Sequence, residues 1–273
     1  MHNLVLFATI YKNQDMILKE WLEHHEQQGF DHIYLINTGV SDSFYNIIYP
    51  YVKSGLVTVF NLPADTSHQG SNYDLIFKAL KYDIKWLATS TVNEYWYGTK
   101  DTLKNYIEEI DTSVVDINSI YTYAYLFGSS GYTEQPKSIR ESFIKRAEPQ
   151  YQFKTITRAD CIVNIDEICT LNTQPLIKLN YDDIKVNYYN VMSAECFTHT
   201  RLCNGEDSEQ MKHGWEYFKQ NDINEARDMT LANIAKENRD KVVGRITSSS
   251  KLNEIQKIIK ERENKAIQLK ITQ

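Results

Sequence analysis

Leu4-Val5-Leu6-Phe7-Ala8-Thr9-Ile10-Tyr11-Lys12-Asn13 is an apolar run that turns polar at Tyr11. Such a run, bounded by a polar turn, predicts a buried strand followed by a loop. Asp15 stands where a helix cap belongs, and Ile17, Leu18, Trp21, Leu22 and His25 recur at helical spacing until Gly29 stops the pattern. Asp31 leads into His32-Ile33-Tyr34-Leu35-Ile36, a second strand, closed by the turn Asn37-Thr38-Gly39-Val40-Ser41-Asp42. Residues 44–52 read as a helix stopped by Gly55, 57–60 as a third strand, 71–82 as a helix and 86–90 as a fourth strand. This alternation predicts a parallel sheet with helices on both faces. Ligands of such sheets collect at the carboxyl ends of the strands, so a site is expected in the loops after the first, second and fourth strands.

Beyond residue 99 the rhythm breaks. Residues 103–110 predict a helix, and 119–127 an aromatic strand ending in Gly128-Ser129-Ser130-Gly131. Residues 151–197 read as short strands and loops, and 207–238 as helical. Residues 251–270 carry six basic and three acidic side chains beside a stripe of Leu252, Ile255, Ile258, Ile259, Ala266 and Leu269. That pattern predicts an amphipathic helix packed on the domain or on a second copy of the chain, which leaves room for a homo-oligomer, rather than on a membrane surface. The fold class expected is α/β, with an irregular second half and a helical C-terminal tail.

Composition narrows the classes. Of 273 residues 42% are hydrophobic and 24% charged, with 10 Gly and 5 Pro, which excludes a disordered, collagenous or low-complexity chain. Thirty basic against 36 acidic side chains give a net charge of −6 and no general attraction for nucleic acid. The apolar run at 4–10 is far shorter than the roughly 20 residues of a membrane span. Strand-like sequence begins almost at once, without space for a signal peptide, so a cytoplasmic protein is expected. Cys161, Cys169, Cys196 and Cys203 form no close pair of the kind that grips a metal and read as reduced thiols.

Several ordered motifs resemble one family. Lys12-Asn13-Gln14-Asp15, Leu18-Lys19-Glu20-Trp21-Leu22-Glu23-His24-His25, Gly29-Phe30-Asp31-His32-Ile33-Tyr34, Asn37 and Ser41-Asp42 are similar to the amino-terminal signature of glycosyltransferase family 92 and its family-2-like relatives. Gln69 with Asn72-Tyr73, then Trp86-Leu87, resemble the helix and strand that lead to that family's metal-binding motif. Phe127 with Gly128-Ser129-Ser130-Gly131, Pro136 and Glu141-Ser142-Phe143 resemble its acceptor-side signature. Val186-Asn187-Tyr188-Tyr189, Ser193, Phe197 and Gly205 resemble its late Asn-His-Tyr block. The resemblance implies a GT-A fold, a mostly parallel sheet flanked by helices, in one domain over residues 1–240. Residues 1–98 would be the nucleotide-sugar-binding half, 99–206 the acceptor-side half, 207–240 helical, and 241–273 a charged C-terminal helix.

The chemistry implied is sugar transfer from a nucleotide-sugar donor, UDP-type by preference, to a hydroxyl of a glycan or protein acceptor. Charge on the leaving diphosphate is usually neutralised by a divalent cation on an Asp-x-Asp turn. The family's turn is Asp-x-Asp-Glu-Phe; here it reads Thr91-Val92-Asn93-Glu94-Tyr95, and the family's later histidine falls on Tyr188. Neutral oxygens hold a hard divalent ion poorly, so only Glu94 remains as a candidate ligand. Three readings stay open: a metal-free enzyme that uses Lys or Arg, a Mn²⁺ or Mg²⁺ held weakly by Glu94 and the donor phosphates, or an inactive scaffold that binds without turnover.

Candidate donor contacts are Thr9, Tyr11 as a stacking ring, Lys12 for phosphate, Asn37 for the base edge, Gln69 and Asn72 at a helix start, and Thr91, Asn93 and Glu94. Lys145, Arg146, Lys154 and Arg158 are the cationic reserve for a metal-free mechanism. Glu141, with Glu134 as its rival, is the candidate base that takes the acceptor proton. The loop Gly128–131 offers backbone N–H groups to an acceptor. Each has an ordinary structural alternative: a strand end, a turn, a cap, or a solvated charge. Adjacent His24 and His25 point about 100° apart on a helix and cannot easily share an ion, so one is expected to pack and the other to face solvent. His199 and His213 are isolated.

Overall fold

The computed structural model describes residues 1–39, 43–62, 69–113, 117–148, 152–166, 170–173, 178–180, 183–202 and 208–248. The elements run β1 (His2–Ile10), α1 (Asp15–Gln27), β2 (His32–Asn37), α2 (Ser43–Ser54), β3 (Val57–Asn61), α3 (Gln69–Leu80), β4 (Ile84–Thr91), β5 (Glu94–Gly98), α4 (Leu103–Thr112) and β6 (Ser119–Phe127). They continue with α5 (Ile139–Ser142), β7 (Lys145–Arg146), β8 (Gln152–Arg158), β9 (Ile162–Asp166), β10 (Thr170–Thr173), β11 (Lys178–Asn180), β12 (Ile184–Tyr189), α6 (Ala194–Phe197), α7 (Ser208–Asn221), β13 (Ala226–Arg227) and α8 (Thr230–Ser248).

The main sheet has the order β13-β7-β6-β8-β4-β1-β2-β3. Its first half is parallel: β1 lies between β2 and β4, and β3 follows β2. Along β1, Leu4, Leu6, Ala8 and Ile10 enter one core while Val5 and Phe7 enter the other, so both faces are covered. A strand buried on both faces is apolar throughout, which is why β1 and β2 were plain in the sequence. The second half is mixed. Strand β8 is antiparallel to both β4 and β6, while β12 pairs parallel with β6 and antiparallel with β5.

The stretch 207–238, read as helical, holds α7 and the first part of α8 with a break between them. The break is made by tertiary bonds. Asp222 and Asn224 accept from the backbone of Ser129 and Ser130, and the N–H groups of Glu225 and Asp228 donate to Arg146 and Ile144. Residues 226–227 thereby join β7 as an edge strand. The tail read at 251–270 lies outside the described residues. Among the described residues no helix is long and apolar enough to cross a membrane.

Helix α1 locks onto β5, just after the turn that ends β4. The Trp21 indole donates to the carbonyl of Glu94 at 2.8 Å, and the His24 Nε2–H donates to the carbonyl of Trp96 at 2.7 Å. His25 donates from Nδ1 to the Trp21 carbonyl and accepts the Trp96 N–H at Nε2. Both histidines are buried, so the expectation that one faces solvent is corrected. These side chains have structural work: they fix the backbone of the turn that ends β4.

Candidate functional site

The loop after β1, the turn between β4 and β5, the end of β12, the π-helical turn 198–202 and α7 enclose a cavity of about 520 Å³. Its lining is Tyr11 and Gln14, Thr91 and Asn93, Tyr188, Thr200 and Arg201, and Tyr217. The location at the carboxyl ends of β1 and β4 follows from the parallel arrangement, because the polar loops of both strands open at the same edge.

The turn residues are engaged with one another. The Thr91 hydroxyl donates to Asn93 Oδ1 at 2.5 Å, and the Thr91 N–H donates to Glu94 Oε2 at 3.0 Å. The other oxygen of Glu94 lies 2.6 Å from Lys154 Nζ, and both side chains are only 3% exposed. Strand β8 runs antiparallel beside β4, which carries Lys154 level with the turn. A divalent ion does not fit this donor set. Glu94 is already neutralised by an ammonium group, Thr91 and Asn93 bring no charge, and the Tyr188 hydroxyl donates to Asn190 Oδ1 at 2.9 Å. Among the described residues no three His, Cys, Asp or Glu side chains come together as a metal set.

Beside Tyr188 in the same lining stands Arg201, which is not one of the motif residues quoted above. Its Nη2 donates to Asn190 Oδ1 at 3.1 Å, and its guanidinium carbon lies 4.9 Å from the Tyr217 ring centre. Asn190 is buried and receives three donors: Tyr188, Arg201 and the Tyr217 hydroxyl at 3.2 Å. The only signal available was that position 201 falls inside the late block that also carries Tyr188.

Of the predicted donor contacts, the structure brings Tyr11, Thr91 and Asn93 to the cavity and sets Glu94 and Lys154 beneath the turn. Others go elsewhere. Thr9 is buried and its hydroxyl bonds that of Tyr73 at 2.9 Å, while Lys12 is exposed outside the lining. Asn37 is engaged by its neighbours, donating to Asn61 Oδ1 at the end of β3 and accepting from the Gly39 N–H of its own turn. The side chains of Gln69 and Asn72 lie outside the described residues. Arg146 pairs with Asp228 and covers the Tyr125 ring, and Arg158 pairs with Asp160. Lys145 is exposed on β7.

Neither candidate base reaches the cavity. Glu141 pairs with Arg239 of α8 at 2.5 Å and lines a separate groove with α1, because α8 packs across α5. Glu134 is exposed in the loop before α5. The loop Gly128–131 does not offer free N–H groups either: those of Gly128, Ser129, Ser130 and Gly131 donate to Lys145, Asp222, Asn224 and Ser129. Gly128 is required there, since a Cβ would come within 2.5 Å of the Ile223 carbonyl. His199 lies 3.9 Å from Asp15, and His213 is solvent-exposed.

Burial sets the electrostatics behind the turn. Desolvation holds His24 well below the usual imidazole range and lowers His25 to about 3. Burial also pushes up Tyr95, whose hydroxyl has no hydrogen-bond partner among the described residues.

A β3-β2-β1-β4 parallel frame, an antiparallel-rich second half and a ligand-sized cavity beside the β4–β5 turn define an α/β protein of the GT-A type. The chain belongs to glycosyltransferase family 92, whose sequence pattern matches residues 4–242. This membership supports sugar transfer from a nucleotide-sugar donor. No curated protein matches the sequence. Among solved structures the chain is similar to S. aureus TarS 1–349, at 15% identity and a TM-score of 0.45 over 79% of this chain and 69% of that one. The complex of TarS 1–349 with UDP gives 14% identity and a TM-score of 0.44, over 81% and 70%. The mannosyltransferase PcManGT from Pyrobaculum calidifontis, in complex with GDP-Man and Mn²⁺, gives 8% identity and a TM-score of 0.39, over 80% and 70%.

Proposed function

We propose that this chain transfers a sugar from a nucleoside diphosphate donor, UDP-type by preference, to a hydroxyl acceptor without a divalent ion. The observation that carries this reading is the buried Lys154–Glu94 pair beneath Thr91 and Asn93, where the family places its metal-binding turn. Lys154, held on β8, occupies the one carboxylate that a metal enzyme would present to an ion, so the turn is organised without one. Tyr11 offers a ring to the base, and Thr91 and Asn93 offer neutral oxygen and amide groups to the ribose and phosphates. In the reaction the C1–O bond to the diphosphate breaks with its electron pair leaving on the phosphate oxygen. The acceptor oxygen bonds C1, and its proton passes to water.

The test is transfer or donor hydrolysis with UDP-sugars, assayed in Mn²⁺ and in EDTA. The expected rates agree within about twofold. A rate that collapses in EDTA overturns the proposal. The scaffold reading also has an observation in its favour: among the described residues no carboxylate lines the cavity to accept the acceptor's proton. Donor binding with no turnover across UDP-, GDP- and dTDP-sugars and a panel of glycan and peptide acceptors would decide for the scaffold.

A further inference from the structure

Positions 91, 93 and 188, where the family carries its metal ligands, converge on one cavity here as Thr91, Asn93 and Tyr188, and Arg201 lines that same cavity. Arg140, Arg146, Arg158 and Arg239 each face a carboxylate. Arg201 has no carboxylate among the described residues and is instead seated on neutral groups. One N–H is taken by Asn190, and the guanidinium lies over Tyr217 and, at 5.9 Å, Phe197. A guanidinium has five N–H donors in a rigid fork suited to phosphate, so this seating fixes its plane and leaves donors for a ligand. Its backbone adds a second observation. Thr200 and Arg201 are presented by a π-helical turn, a rare geometry that concentrates at functional sites. Asn13, at a φ of 63°, ties that turn to the β1 loop by donating from its amide to the His199 carbonyl.

We propose that Arg201 is the catalytic residue that grips the donor's diphosphate and stabilises its charge as the glycosidic bond breaks, with Asn190 as its positioning residue. This inference rests on the donor-binding reading above. The cation that relatives recruit as an ion is here a side chain, lining the same cavity as Thr91, Asn93 and Tyr188. Removing one such preorganised donor set from a transition state costs about 100-fold in turnover. Ground-state binding of the diphosphate loses about 10- to 100-fold, the range of a hydrogen bond to a charged group.

Isothermal titration in EDTA with UDP, inorganic pyrophosphate and uridine tests this. In Arg201→Gln, UDP and pyrophosphate binding are expected to weaken at least tenfold while uridine binding stays within twofold of the wild type. Arg201→Lys, which keeps the charge but loses the fork, is expected to fall between. Arg239→Gln removes the same charge from α8 and is expected to change nothing. For Asn190→Ala the expected signature is coupling: once Asn190 is gone, Arg201→Lys no longer costs UDP affinity. Undiminished UDP binding by Arg201→Gln would overturn this inference and leave the donor-binding reading standing. Equal loss of UDP and uridine would overturn it too, as the mark of a general structural role. A wild type that binds neither UDP nor uridine would overturn both.

Discussion

Lys154→Ala is expected to lower the unfolding free energy by about 3–5 kcal/mol, the cost of leaving a buried charge without its partner. Glu94 and Lys154 are each 3% exposed, so water cannot replace the missing ammonium. Glu94 would keep only the Thr91 N–H, one hydrogen bond for a charge that needs several. Glu94→Gln exposes the mirror problem, a buried lysine with a neutral neighbour, and is expected to cost a similar amount. The double replacement Lys154→Met with Glu94→Leu is expected to recover most of the loss, since removing both charges removes the desolvation they impose. Urea titration of all four proteins checks this. A Lys154→Ala loss under about 1 kcal/mol would mean that the pair is solvated and exerts little control over the turn.

Acid is expected to unfold the protein well before its carboxylates titrate, because α1 carries two histidines that fold as neutral rings. His25 donates from Nδ1 and accepts at Nε2, and His24 donates from Nε2 while its Nδ1 faces Arg140 at 3.5 Å. A second proton on either ring removes an acceptor and places a charge among Trp21, Tyr95 and Phe30. Folding lowers both pKa values from 6.5, to about 3 for His25. The unfolded chain therefore binds more protons below pH 6.5. Their stabilisation is complete above that pH and is lost as pH falls, at up to about 1.4 kcal/mol per pH unit for each histidine. Between pH 6 and 5 the pair together is expected to cost about 2–3 kcal/mol. Denaturant titration at pH 7, 6 and 5 reads this directly, and a flat profile would contradict it.

The first ninety residues were legible because a strand covered on both sides leaves a mostly apolar run, as residues 4–10 and 33–36 do, and because Gly29 and Gly55 end helices at positive φ. The second half was harder. What ends α7 is not a local stop signal but the capture of Asp222 and Asn224 by a loop more than ninety positions earlier. The cavity shows the same division. Tyr11, Thr91 and Asn93 could be found because they sit in loops that a parallel sheet must gather. Lys154 was one of four equivalent cations in the sequence, and only the antiparallel register of β8 against β4 singles it out. Arg201 was invisible because its significance lies in Asn190 and Tyr217, neither of which carries a signal by itself. Glu141 misled for the opposite reason: its motif matches, but Arg239 arrives from α8 and engages it.

The central claim is that the β4–β5 turn has exchanged an ion for side-chain cations. Titration with Mn²⁺ alone, followed by calorimetry, measures that exchange without any need to know the donor or acceptor. The wild type is predicted to show no saturable binding, and Thr91→Asp combined with Asn93→Asp is predicted to gain it. Micromolar Mn²⁺ binding by the wild type, abolished by Glu94→Gln, would contradict the account.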